Sequence, residues 1–172
     1  MILTGPAIAA AVERGDIELS DWSRTRLNPN SYNFRLGRRL LHVSNEEGFF
    51  DEPRTVLLTE GGFVLHPRNL YLGATAELIG SHNYVMTLLG RSSMGRLGLF
   101  LNATADLGHV GSCSRWTLEL SVVQPLRVYM GMEVGQVAFW HETEHAVPYQ
   151  GRYLDDRGPV TCQDAALLGL AA

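Results

Sequence analysis

The sequence has no lysine, so all 14 basic residues are arginine, set against 18 acidic ones. Any anion bound here must be met by guanidinium forks, backbone amides or hydroxyls. A formal charge of −4 argues against a general nucleic-acid binder, which carries a basic surface. Only two cysteines are present, Cys113 and Cys162. They allow no disulfide framework and are expected to be reduced thiols. No apolar run approaches the roughly 20 residues that span a bilayer, and the opening MILTGPAIAAAVERGD lacks the basic start and cleavage pattern of a secretory leader. The expectation is a cytoplasmic protein with neither a membrane nor a nucleic acid as partner.

What is present is ordinary globular material. The 172 residues are 45% hydrophobic and 19% charged, which suits one domain burying roughly 70% of its unfolded surface. Thr4 with Pro6 in the first turn, Ala7 to Arg14 as body and Gly15 as the residue after the end predict one opening helix. After it, short β-branched and aromatic runs recur between Gly, Pro and Asn: 31–35, 55–58, 62–65, 71–78, 84–89, 116–123, 126–129 and 136–140. Many short strands with frequent turns predict an all-β sandwich or jelly roll rather than βαβ units. The tail from Pro148 to Ala172 mixes Gly, Pro and charge and predicts an arm that needs a partner surface for order.

Chemistry concentrates in two segments. Gly90-Arg91-Ser92-Ser93-Met94-Gly95-Arg96 brackets two hydroxyls with two arginines in a Gly-flanked turn, a group suited to an oligophosphate. The plainer alternative is a solvated strand-to-helix turn. Further on, Glu119 interrupts the apolar run Trp116 to Val123. Alternation puts it with Thr117 and Ser121 on one face and Leu118 with Leu120 on the other, and its apolar setting makes a functional carboxylate credible. His141-Glu142-Thr143-Glu144-His145 matches the H-E-x-x-H pattern of zinc proteases, which works only on a helix. Here it follows a strand-like run and is closed by Pro148; extended, its imidazoles would stand roughly 13 Å apart, too far to share an ion. The H-x-E with P-C-x-x-C signature of zinc deaminases is missing.

GRSSMGRLGL, followed at a fixed interval by a Leu-Glu pair, resembles the signature of the dCTP deaminase family, within the superfamily that also holds the trimeric dUTPases. Three further segments agree in order: 28–37 is similar to a "PxSxDxRLG" block, 129–136 to "YPGMxIGQ", and 149–159 to a closing arm "YxGKYQGQxGP". The resemblance implies a distorted jelly roll or dUTPase-like β-barrel over 1–147, with a short N-terminal helix, and an arm over 148–172 that closes the active site. It implies metal-independent hydrolytic deamination of a cytosine nucleotide, with Glu119 shuttling the proton and Ser92 and Arg96 orienting water and stabilising charge at the ring. Arg91, Ser93, Tyr149 and Arg152 would hold phosphates. Met94 and Gly95 of the same turn, Thr104 and Ala105 with a backbone carbonyl beside the amino group, and Thr117 and Leu118 beside the glutamate complete the expected substrate site. The resemblance further implies Mg²⁺ arriving with the nucleotide, no zinc, and a homotrimer with sites between subunits.

The departures matter too. Arg152 stands where the arm has lysine, and Asp156 where it has a glutamine; an acid there would repel a γ-phosphate. His109 replaces the family's aspartate and Ser112 its aromatic in "IDPGF/W-xG". That aspartate serves the dUTPase branch, so its loss weighs against two alternatives, a dUTP diphosphatase and a bifunctional enzyme. A non-catalytic nucleotide-binding relative is the third alternative, and the joint presence of Ser92, Arg96 and Glu119 speaks against it. The pair His109 and Ser112 also predicts relaxed sugar selection.

Overall fold

In the computed structural model, residues 1–102, 105–144, 147–154 and 157–163 are described. The opening helix α1 runs Gly5–Arg14 and ends at Gly15, whose φ of 80° is the left-handed turn that glycine adopts without strain. Thr4 takes the extended N-cap backbone, but its side chain makes no capping bond. Ile8 and Ala11 bury the helix's apolar stripe in the core.

The described chain is otherwise mainly antiparallel sheet. A five-stranded sheet runs in the order Gly48–Leu57, Arg39–Asn45, Leu70–Ala74, Thr117–Val122, Leu99–Leu101. A four-stranded sheet runs Leu107–Gly108, Val85–Gly90, Glu133–Trp140, Tyr32–Arg35. Smaller sheets join Ile17–Leu19, Ile79–Ser81 and Cys113–Ser114, and Leu126–Val128 with Phe63–Leu65. Leu40, Tyr71, Leu118 and Leu120 from the first sheet and Phe34, Met86, Val137 and Phe139 from the second are buried in one shared core. This is the all-β, jelly-roll-like architecture expected from the short runs.

The run 71–78 does not form one strand. It breaks after Ala74, where the Thr75 hydroxyl donates to the Glu77 carbonyl at 2.7 Å and Ala76 N donates to Arg35 O at 2.7 Å. The break carries Glu77, which is wholly buried, into contact with both Arg26 and Arg35. Arg35 reaches it through Nε at 2.7 Å and through its backbone N–H at 2.9 Å. A buried carboxylate persists only when so paired.

Candidate functional site

Glu119 lies mid-strand in Thr117–Val122, where Leu118, Leu120 and Val122 face the core and the alternate positions face out. Its register partner on one side is Leu72, and on the other Asn102 donates its backbone N–H to Glu119 O at 3.1 Å. The outward face opens on a cavity of about 880 Å³ lined by Glu119, Thr117, Ala105, His109 and Tyr149. Asn102, Ser112 and Trp116 share this lining with Phe49 and Phe50 from a hairpin and Tyr153 from the arm. Burial in this mostly apolar setting raises the Glu119 carboxyl above the usual carboxylate range, because desolvation disfavours the charged form.

The segment before the strand shapes the wall. Ser112 N–H and Oγ both donate to the His109 carbonyl, at 3.3 and 2.6 Å. Gly111, with φ of 84°, lets Pro148 pass so closely that an added Cβ would meet it at 3.0 Å. The arm begins there: Tyr149 N donates to Val110 O at 2.9 Å, and its ring stacks on His109 with centroids 5.2 Å apart. Trp116 is fixed by its indole N–H, which donates to Ile79 O at 2.9 Å. Thr117 Oγ1 donates to Gly158 O at 3.4 Å and accepts from Val160 N at 3.2 Å, so this hydroxyl holds the arm across the cavity. Arg152 is exposed and donates to Gln163 O at 2.8 Å; it does not line the cavity.

The arginine turn lies elsewhere. Ser92–Arg96 forms a one-turn helix, α2, entered through Arg91. It leaves through Gly98, whose φ of 87° returns the chain toward Leu99–Leu101. Ser92, Ser93, Gly95 and Arg96 are exposed, and no residue from Arg91 to Arg96 lines the Glu119 cavity. Arg91 pairs with Glu133 Oε2 at 2.7 Å, the same oxygen that accepts from Asn33 Nδ2 at 3.1 Å. Ser31 donates to Gln136 at 2.6 Å, and Gln136 reaches Gly90 O at 3.3 Å. Segments 28–37 and 129–136 therefore gather behind the turn.

One chain thus brings together Glu119, Thr117, Ala105, His109 and Tyr149, and keeps Arg91, Ser92, Ser93, Met94, Gly95 and Arg96 apart from them. Leu118 is fully buried on the core face, so only its backbone is left for a ligand. Thr104, Asp156 and His145 lie outside the described residues. Residues 141–144, the described part of the H-E-x-x-H string, are not helical. Among the described residues, no three His, Cys, Asp or Glu side chains gather to hold a metal ion. Asn102, Trp116 and the hairpin phenylalanines are lining residues that sequence reasoning did not single out.

A jelly-roll-like β fold with a half-buried carboxylate beneath a C-terminal arm defines a dUTPase-like class of protein. Residues 2–141 match the model of the dCTP deaminase-like family. The chain is 44% identical over 163 residues to "dCTP deaminase, dUMP-forming" of Cytophaga hutchinsonii, covering 92% of this chain and 93% of the relative. It is 41% identical over 143 residues to "dCTP deaminase" of Rhodopirellula baltica, covering 81% and 72%. The crystal structure of 2'-deoxycytidine 5'-triphosphate deaminase from Agrobacterium tumefaciens superposes with a TM-score of 0.67 at 24% identity. That match covers 82% of this chain and 48% of the other. The chain belongs to the dCTP deaminase-like family.

Proposed function

We propose that the protein hydrolytically deaminates a cytosine nucleotide, dCTP or a related cytidine nucleotide, releasing ammonia. The observation that carries this reading is Glu119, a half-buried carboxylate whose proton affinity is raised inside a cavity of nucleotide size. A carboxyl whose proton affinity is raised takes a proton from water more readily than an ordinary carboxylate and can return it to a departing amine.

The separation of the turn from this cavity supports a site built from two copies of the chain. Ser92 and Arg96 of one copy face the Glu119 cavity of another, orienting water and stabilising charge at C4, in a homotrimer. Arg91, Ser93, Tyr149 and Arg152 take the phosphates, with Mg²⁺ riding on the nucleotide. The protein acts in the cytoplasm, on a small molecule rather than a nucleic acid or membrane. Zinc takes no part, so phenanthroline leaves ammonia release unchanged; stoichiometric zinc in active protein would contradict this.

The name "dCTP deaminase, dUMP-forming" carried by several relatives brings in a second reading, in which diphosphate is also released. His109 at the family's aspartate position opposes it. Incubation with dCTP, CTP, CMP or dUTP and Mg²⁺, with ammonia and pyrophosphate both measured, decides. Ammonia alone supports the first reading, both products the second, and tight binding without turnover refutes both.

A further inference from the structure

Asn102 follows the strand Leu99–Leu101 and sits directly across from Glu119, since Leu101 pairs with Leu120 and Asn102 N donates to Glu119 O. Both residues line the same cavity. The Asn102 amide is oriented by its donors: Nδ2 gives hydrogens to Thr117 O at 3.2 Å and Ala105 O at 3.5 Å. Carbonyls only accept, so the amide cannot be flipped. Its Oδ1 is left as the one buried side-chain polar atom without a partner among the described residues.

Two further features single the residue out. It is 9% exposed, so an unmet acceptor there is unfavourable unless a ligand or water supplies the donor. Its φ is 47°, a left-handed conformation that asparagine adopts more readily than other non-glycine residues and that turns the chain out of the strand.

We infer that Asn102 is a positioning residue for the attacking water, which donates one hydrogen to Glu119 and the other to Asn102 Oδ1. Two neighbouring acceptors fix both water hydrogens and leave its lone pairs directed into the cavity, at the ring carbon. This deepens the deaminase reading and rests on it. In the reaction one O–H bond breaks to Glu119 as the water oxygen bonds C4. Glu119 passes that proton to ring N3; the second O–H bond then breaks through Glu119 as the C4–N bond breaks, so that C4 keeps the oxygen as a carbonyl and ammonia leaves with the second proton. No oxidant or reductant is needed.

The test is Asn102→Gly, which keeps the left-handed backbone at no steric cost and removes both amide atoms. The expected result is a kcat lowered about 10- to 100-fold, the range for one lost hydrogen bond to a charged or reacting group, with KM for dCTP changed less than about threefold. Titration of dCTP into Glu119→Gln, with and without Asn102→Gly, should give the same Kd within that factor. A kcat within about twofold of the unmodified protein overturns the inference. So does a kcat loss matched by an equal loss of dCTP affinity, which would put the amide on the substrate instead. If Asn102→Gly does not fold, Asn102→Ser, which cannot span to the same oxygen position, is read by the same split. Absence of ammonia from the unmodified protein with every cytosine nucleotide would instead sink the deaminase reading itself.

Discussion

At the residue scale the carboxyl of Glu119 has two measurable consequences. Glu119→Gln fills the same volume without accepting a proton, so it should bind nucleotide and lose nearly all turnover. Retention of more than about a tenth of the activity would remove Glu119 from the reaction. The second consequence is in stability. Burial raises the folded-state pKa above the unfolded one, so the folded protein holds the proton more tightly and stability falls as pH rises through the window from the unfolded to the folded pKa. Glu119→Gln should therefore melt higher than the unmodified protein above that window, with the gap closing below about pH 4, where the carboxyl is protonated in both states. His109 and Ser112 bear on sugar choice. The Ser112 hydroxyl donates to the His109 carbonyl, so neither residue brings a carboxylate or a large aromatic ring to this part of the cavity lining. We expect kcat/KM for CTP or CMP within about a hundredfold of dCTP, and stronger preference for dCTP on restoring His109→Asp with Ser112→Trp; a site built to read one hydroxyl discriminates by about 10⁴-fold.

At the scale of elements, what was legible in the sequence followed the period of burial. Thr117–Val122, Val85–Gly90 and the part 136–140 of Glu133–Trp140 alternate or run apolar, so these could be read from local pattern, as could the face on which Glu119 stands. The strands that were not legible owe their form to partners distant in sequence. The stretch 48–54 of the strand Gly48–Leu57, ahead of the run 55–58 that could be read, is exposed nearly throughout and contains Pro53 and three charges, yet pairs along Arg39–Asn45. Cys113–Ser114 exists only through Ile79–Ser81. Asn102 escaped for the same reason, since its significance lies in cross-strand register and not in a motif. The arm was legible by composition, but its anchoring was not: Thr117 Oγ1 bonds Gly158 and Val160, and Arg39 donates to Pro159 O at 3.0 Å. Among the described residues of the arm, none carries a large apolar side chain into the core. Truncation before Pro148 should leave a folded, soluble β domain with weakened nucleotide binding and slow turnover, checked by circular dichroism and dCTP titration. Insoluble protein would show instead that the arm is structural.

At the scale of the whole molecule, the proposed two-copy site rests on a turn and a cavity that one chain holds apart. Arg96 is exposed on α2, which packs beside Leu99–Leu101, whereas Glu119 faces a cavity that none of the turn residues line. If each site joins the turn of one copy to the cavity of another, then Arg96→Ala and Glu119→Gln damage different halves. Each variant alone should be nearly inactive as a homotrimer. Unfolded and refolded together in equal amounts, they exchange subunits, and a site is intact only when its turn comes from a Glu119→Gln chain and its cavity from an Arg96→Ala chain. Random mixing leaves about a quarter of sites whole under closed cyclic symmetry, so ammonia release should recover to roughly that share of the unmodified rate. If turn and cavity served the same site from a single chain, no mixed assembly would contain a whole site, and the mixture would stay as inactive as its parts. Recovery near a quarter, with mass measurement showing mixed trimers, therefore fixes both the assembly and the division of the site across it; mixed trimers without recovery exclude that division.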